Sequence, residues 1–239
     1  MTLRPRPIRA ILRKELREYR RHRSILVTMA IFPAVFLIQP LVVAFLAPGS
    51  AGPGLSHEHL LLYMLGLPVL AAGTLAAYTI AGERQQGTLE PVLTSPIRPE
   101  ELLVGKLLAV LAPSIVIAYA VFAAFLVLVV LFANPAVSSA LLQGPDIVAQ
   151  VVFTPLLAAW ASWVGIAIST RSSDVRVAQQ LSLLGNLPLV LVTSLIAFNA
   201  IEPSRALAFG LGAILLVGDL AGWRIVTPLV DRERLVSGG

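Results

Sequence analysis

The chain has no cysteine and little charge. The first absence excludes a disulfide framework, a thiol nucleophile and any cysteine-ligated metal. The second excludes a water-soluble globule. Of 239 residues only 13% are charged, while 57% are hydrophobic and the mean hydropathy is +0.85. A soluble domain normally carries about a quarter charged residues, so most of this chain is built for lipid. Histidine is scarce too, and none of the three falls in an apolar run. A serine–histidine pair inside a membrane is thereby excluded, and paired aspartates are excluded because the runs hold only one, Asp219. A G-x-x-x-x-G-K-[ST] run is absent, so the chain has no phosphate-binding loop of the usual kind.

What is present is a series of apolar runs, each long enough to cross a core of about 30 Å. Six are read at Ile25–Ala47, Leu60–Ala81, Leu107–Phe132, Ile147–Ser169, Ala178–Ala200 and Ala206–Thr227. The first five contain no Asp, Glu, Lys or Arg; the sixth contains Asp219 and Arg224. Pro33, Pro40, Pro68, Pro113, Pro155 and Pro188 lie within them. Membrane helices tolerate such prolines because neighbours re-satisfy the freed backbone groups. The reading is an all-α polytopic membrane protein: residues 1–24 form a cytoplasmic amphipathic helix, 25–227 the six spans, and 228–239 a cytoplasmic tail.

Basic residues set the orientation. Nine precede the first span, from Arg4 to Arg23. Arg84, Arg98 and Lys106 follow the second, Arg171 and Arg176 the fourth, and Arg224, Arg232 and Arg234 close the chain. Arg205 alone falls on the other side. The crowded side is expected to be cytoplasmic, with both termini there. The formal net charge of +5 therefore reflects membrane topology rather than nucleic-acid binding. A cleaved signal peptide fits poorly, since the first apolar run is too long for one.

Ile8, Ile11, Leu12, Leu16 and Tyr19 recur at helical spacing among basic residues and the acids Glu15 and Glu18. That pattern predicts an amphipathic helix lying on the inner membrane face beside anionic lipid. The run from Ala81 to Pro96 is heavily punctuated. Gly87 reads as a helix stop, Thr88 as the cap of a new short helix with Glu90 in its first turn, and Ser95-Pro96 as its end. Pro99-Glu100-Glu101 then opens the next helix. A plain connection between spans would not need these signals.

At Glu83-Arg84, Gly87-Thr88-Leu89-Glu90, Leu93, Ser95-Pro96 and Gly105-Lys106 the chain resembles the permease subunits of ABC exporters of the ABC-2 type. Six spans, a basic amphipathic N-terminal helix and cytoplasmic termini extend the likeness over nearly the whole chain; Ile168–Gln180 is a weaker match. The short external loops exclude a member with a large external domain. The resemblance implies a bacterial-type inner membrane location. It also implies a second permease, identical or homologous, and two separate ATPase subunits that bind ATP and magnesium. On that reading this chain has no cofactor and is not an enzyme. The short helix after span two would receive the ATPases' movement, which places Glu83, Arg84, Gly87, Thr88 and Glu90 at or near the contact. Glu83 and Arg84 are expected to make its polar links. Substrate would pass between the two permeases, and the near-uncharged spans fit an amphipathic or lipophilic cargo.

Other polar residues admit competing roles. Asp219 is expected to pair with Arg224 or reach water, and otherwise to serve substrate or gating. Tyr78 and Asn186 are candidates for the path or for bonds between helices. His57-Glu58-His59 reads as solvated loop rather than a metal site. Trp160 and Trp163 share a helical face and read as packing. An ion-coupled secondary transporter would need charged relays inside the spans. A non-transporting scaffold would need no function from Glu83–Pro96.

Overall fold

The computed structural model describes residues 4–21, 23–48, 52–55, 59–89 and 97–230, which fold as helices and short connections. In chain order these are α1 (Pro5–Arg21), α2 (Arg23–Leu46), α3 (Gly52–Leu55), α4 (Leu60–Tyr63), α5 (Gly66–Gln85), α6 (Pro99–Phe132), α7 (Pro135–Leu141), α8 (Gly144–Arg171), α9 (Val175–Ala197) and α10 (Arg205–Val226). A single 3-10 turn, Thr227–Val230, follows. Among the described residues five helical segments are long and apolar enough to cross a membrane: 60–85, α6, α8, α9 and 205–230. The first expected span is α2, whose 24 residues form one continuous helix. Much of its described side is exposed apolar surface, including Ile31, Val35, Ile38 and Val42. Phe209, Ile214, Val217 and Leu220 give α10 a similar face. So much exposed apolar surface is stable only against lipid.

The second span differs from its expected form. It runs as α4, a break at Met64–Leu65, and then α5. Pro68 is the reason. It has no N–H for the Met64 carbonyl four residues earlier, and its ring crowds that oxygen. The backbone turns tighter instead, with Leu67 N–H donating to Met64 O at 3.1 Å. By contrast Pro113, Pro155 and Pro188 are all accommodated within single helices.

The centre of the molecule is α5. Of the best apolar window in 60–85, 89% is buried within the chain, against 11% for the last span. This is possible because α5 is rich in glycine and alanine. Its neighbour α8 presents a small-residue stripe at Ala158, Ser162, Gly165 and Ser169, all buried. A Cβ at Gly165 would lie 2.6 Å from Ala76 Cβ and 2.6 Å from Gly73 O, so the two backbones nearly touch. Lipid tails give helices no hydrophobic reason to associate; close packing and interhelical hydrogen bonds hold them together. Ser169 Oγ donates to Ala77 O at 2.6 Å, and Ser182 Oγ of α9 donates to Gly73 O at 2.9 Å. On the other side of α8, Gly218 and Gly222 of α10 make room for Trp160 and Trp163, whose ring atoms a Cβ would meet at 1.9 and 2.5 Å. The tryptophans therefore pack, as expected.

Two helices depart from the sequence reading. With 34 residues, α6 is about 51 Å long. It overshoots the hydrocarbon core, so Pro99–Lys106 stands clear of the apolar part, Leu107–Phe132. The helix α7 lies between the third and fourth spans, where only a connection is read. It is started by Asn134, whose side chain accepts from Ala136 N–H at 3.0 Å, followed by Pro135 at the first helical position.

Gly165→Val would force α5 and α8 apart. Overpacking of this kind costs about 1–3 kcal/mol. The variant is expected to lose thermal stability in detergent, read as loss of the monodisperse peak after heating. Gly210→Ala, where a Cβ meets nothing within 4 Å, serves as the unchanged control.

Candidate functional site

The basic end of the molecule is organised by α1. Its turns place Ile11, Glu15 and Tyr19 on one buried face, and this face packs on α6. The apolar stripe of α1 is thus spent largely on protein, whereas the sequence reading laid it on lipid. Gly105 explains how close the approach is. A Cβ there would sit 2.7 Å from Ile11 Cγ2 and 2.8 Å from Ile11 Cβ. The next residue, Lys106, then meets Glu15, one helical turn beyond Ile11.

Lys106 is the hub of a buried ion cluster. Its Nζ lies 2.9 Å from Glu15 Oε1 and 2.9 Å from Glu83 Oε2, and donates to Thr79 O at 2.7 Å. Lys14 donates to the other oxygen of Glu83 and lies 3.7 Å from Glu15 and 3.8 Å from Glu18. Glu15, Glu83 and Lys106 are 1%, 2% and 1% exposed. Two cations and two fully buried carboxylates balance, and they join α1, α5 and α6 at one point. Charges so enclosed are tolerated only when paired and hydrogen-bonded. Around them Tyr19 packs edge-on to Tyr78, with centroids 6.4 Å apart. Burial, together with the nearby carboxylates Glu15, Glu18 and Glu83, pushes the Tyr19 hydroxyl well above its usual pKa, so it stays neutral. Gln86 Nε2 donates to Tyr78 Oη at 2.6 Å and to Glu18 at 3.2 Å.

A second tie lies at the end of the N-terminal segment. Arg4 Nε and Nη2 donate to the two oxygens of Glu101 at 2.7 and 2.8 Å, a bidentate pair. The Arg4 hydrogen bond holds the Glu101 carboxyl at about 2, against the cost of burial and aided by the Arg98 backbone N–H. Glu101 also closes the N-terminus of α6, where acidic groups are favoured.

The turn that leaves α5 has the geometry expected of Gly87. Its φ is +67°, a left-handed conformation suited to glycine. Thr88 N–H donates to Glu83 O at 2.9 Å and Gly87 N–H to Arg84 O at 3.2 Å, the paired bonds of a Schellman stop. Thr88 Oγ1 also turns back to Glu83 O at 3.4 Å. Arg84 reaches sideways and donates to Ser172 O at 2.7 Å and Thr170 O at 3.1 Å. It thereby satisfies free carbonyls at the C-terminus of α8, where a cation is favoured. Glu83 and Arg84 are therefore engaged inside the chain, while Gln85, Gln86, Gly87 and Thr88 are exposed. Glu90, and the expected short helix through Pro96, lie outside the described residues.

The other singled-out residues separate from this site. Asn186 is buried on α9, where Nδ2 donates to Ser182 O at 2.8 Å beside the contact with α5. That is a bond within the packed helices. Asp219 makes no ion pair with Arg224 among the described residues, and its Oδ1 is buried without a partner there. His59 is not solvated loop. Its Nδ1 lies 2.9 and 3.0 Å from the two oxygens of Asp146, at the end opposite the basic one. His57 and Glu58 lie outside the described residues.

Sequence reasoning passed over Glu15 and Lys106 as site residues. The signal was present: two acids in an otherwise basic helix, and a lysine at the threshold of an uncharged span. Which acid meets which base depends on three helices distant in sequence.

These features define a multi-pass α-helical membrane protein whose basic end is tied together by buried ion pairs. Residues 9–210 match the model of the ABC-2 family transporter proteins, and the chain belongs to that family. It is a permease component of an ABC transporter. A search of curated proteins finds no match.

Lys106→Met leaves Glu15 and Glu83 sharing Lys14. Removing one member of a buried ion group costs about 3–5 kcal/mol, so a large fall in thermal stability is expected. The double variant Lys106→Met with Glu15→Gln removes one charge of each sign and should recover part of it. Equal stability losses in the single and double variants would mean that the two groups are not coupled.

Proposed function

We propose that this chain is the membrane subunit of an ABC exporter, and that ATP-driven movement of separate ATPase subunits enters it through Glu83–Pro96. The observation that carries this reading is the ion cluster of Lys14, Glu15, Glu83 and Lys106. It binds α1, α5 and α6 at the foot of that turn. A push on the turn would move the ends of three helices as one body. Arg84 extends the body to the α8–α9 connection. In this reading Glu83 and Arg84 couple by anchoring the turn from within. Exposed Gln85, Gln86 and Thr88 offer the contact surface; Glu90, outside the described residues, is assigned to the contact from the family motif. The basic end is cytoplasmic, with both termini there. ATP and magnesium are held by the partner subunits, and the chain itself catalyses no reaction. A second permease, identical or homologous, completes the path, which carries an amphipathic or lipophilic cargo outward. The ATPase partners follow from the family; two of them suit a pair of permeases.

Thr88→Arg with Gln85→Glu alters the exposed contact and spares the ion cluster. It is expected to leave thermal stability unchanged while lowering ATPase co-purification and transport-coupled ATP turnover. Wild-type values for both would remove the contact from this turn. Orientation has its own test, since the chain has no cysteine. Ser139→Cys on α7 should react with an impermeant maleimide from outside intact cells, and Gln86→Cys only after lysis; the reverse pattern would invert the topology.

A further inference from the structure

A groove runs down the side of the molecule between α9 and α10. Both helices pack on α8 rather than on each other, so α8 forms its floor. At the end opposite the basic one it opens as a cavity of about 370 Å³ whose wall includes Arg205, Ser204, Gln143 and Phe153. It continues toward mid-membrane as an apolar cavity of about 520 Å³, where Trp160, Pro188 and Gly210 line it. Ile196, Leu207 and Leu211 line both cavities, so the two adjoin along the groove. These volumes are in the range of small-molecule sites, roughly 300–1,000 Å³. From Arg205 to Leu215 the groove follows ten residues of α10, about 15 Å of helix and half of a hydrocarbon core of about 30 Å.

The charge at its mouth is specific. Arg205 is exposed and makes no ion pair among the described residues. Among the described residues it is the only Lys or Arg at this end. It stands at the N-terminus of α10, where Ser204 Oγ caps Leu207 N–H at 3.1 Å and the helix dipole adds to its positive field. The acid in the mouth, Asp146, is buried and already paired with His59. Glu202 is exposed in the preceding connection.

We propose that this groove holds one diacyl phospholipid, its phosphate at Arg205 and one acyl chain running between α9 and α10 to Trp160. The polar end, the apolar shaft and the one-leaflet length each match a part of such a molecule. On the proposed topology it is an outer-leaflet lipid. The binding itself does not depend on coupling to an ATPase.

The test is native mass spectrometry of the purified full chain, delipidated and re-equilibrated with dioleoyl phosphatidylglycerol. The wild type is expected to retain one lipid per chain. Arg205→Gln should weaken retention about tenfold, the loss of one charge-assisted contact. Gly210→Trp should abolish it by filling the shaft, and the open space at that position keeps the fold intact. Dioleoylglycerol, which lacks phosphate, should be retained by the wild type about as weakly as the phospholipid is by Arg205→Gln. Inorganic phosphate at millimolar concentration should not displace the lipid. Three results would overturn the proposal: wild-type retention by both variants, equal retention of dioleoylglycerol, or displacement by phosphate alone. A fourth would assign the groove to a second copy of the chain, namely efficient cross-linking of Gly210→Cys between chains in membranes.

Discussion

The junction of α1, α5 and α6 depends on the ammonium of Lys106. It is almost fully buried, and an isolated charge in that position would not be tolerated. Its three partners come from two other helices: Glu15 from α1, and Glu83 with the Thr79 carbonyl from α5. Burial therefore makes the docking of α1 obligatory. If α1 lifts away, Glu15 and Lys14 leave with it, and Lys106 and Glu83 must bear each other's charge in a half-open site. Gly105 is the steric counterpart of this electrostatic demand, because it lets Ile11 approach until Glu15 can reach.

A different logic holds the spans together. Within lipid no water is expelled by helix contact, so α5 and α8 associate through close backbone approach and hydroxyl-to-carbonyl bonds. The two regimes meet at the end of α5. Inside the core its alanines and glycines are pressed against α8; at its end Glu83 faces the ions, Arg84 caps α8 and Gly87 stops the helix. One helix thus links the packed membrane core to the turn at which an ATPase partner is proposed to act.

The periphery is looser and chemically distinct. α10 leans on α8 through two glycines fitted against two tryptophans, and leaves a lipid-length groove beside α9. Asp219 lies on this outer helix without a partner among the described residues, far in character from the satisfied acids at the basic end.

The sequence by itself determined the membrane class, the asymmetry of basic residues and the stop at Gly87. Each depends on local composition or on one residue's backbone freedom, which tertiary contacts do not alter. The family pattern was legible for the same reason, since Glu83–Glu90 and Gly105-Lys106 are contiguous motifs. Tertiary structure alone decided the rest. It turned the apolar stripe of α1 onto α6, drew Glu83 and Arg84 inward, gave His59 a carboxylate partner and left Asp219 without Arg224. Those outcomes depend on which helices lie side by side. In a helix every side chain's direction is known only relative to its own axis, and the neighbour it meets is fixed by packing between segments far apart in the chain.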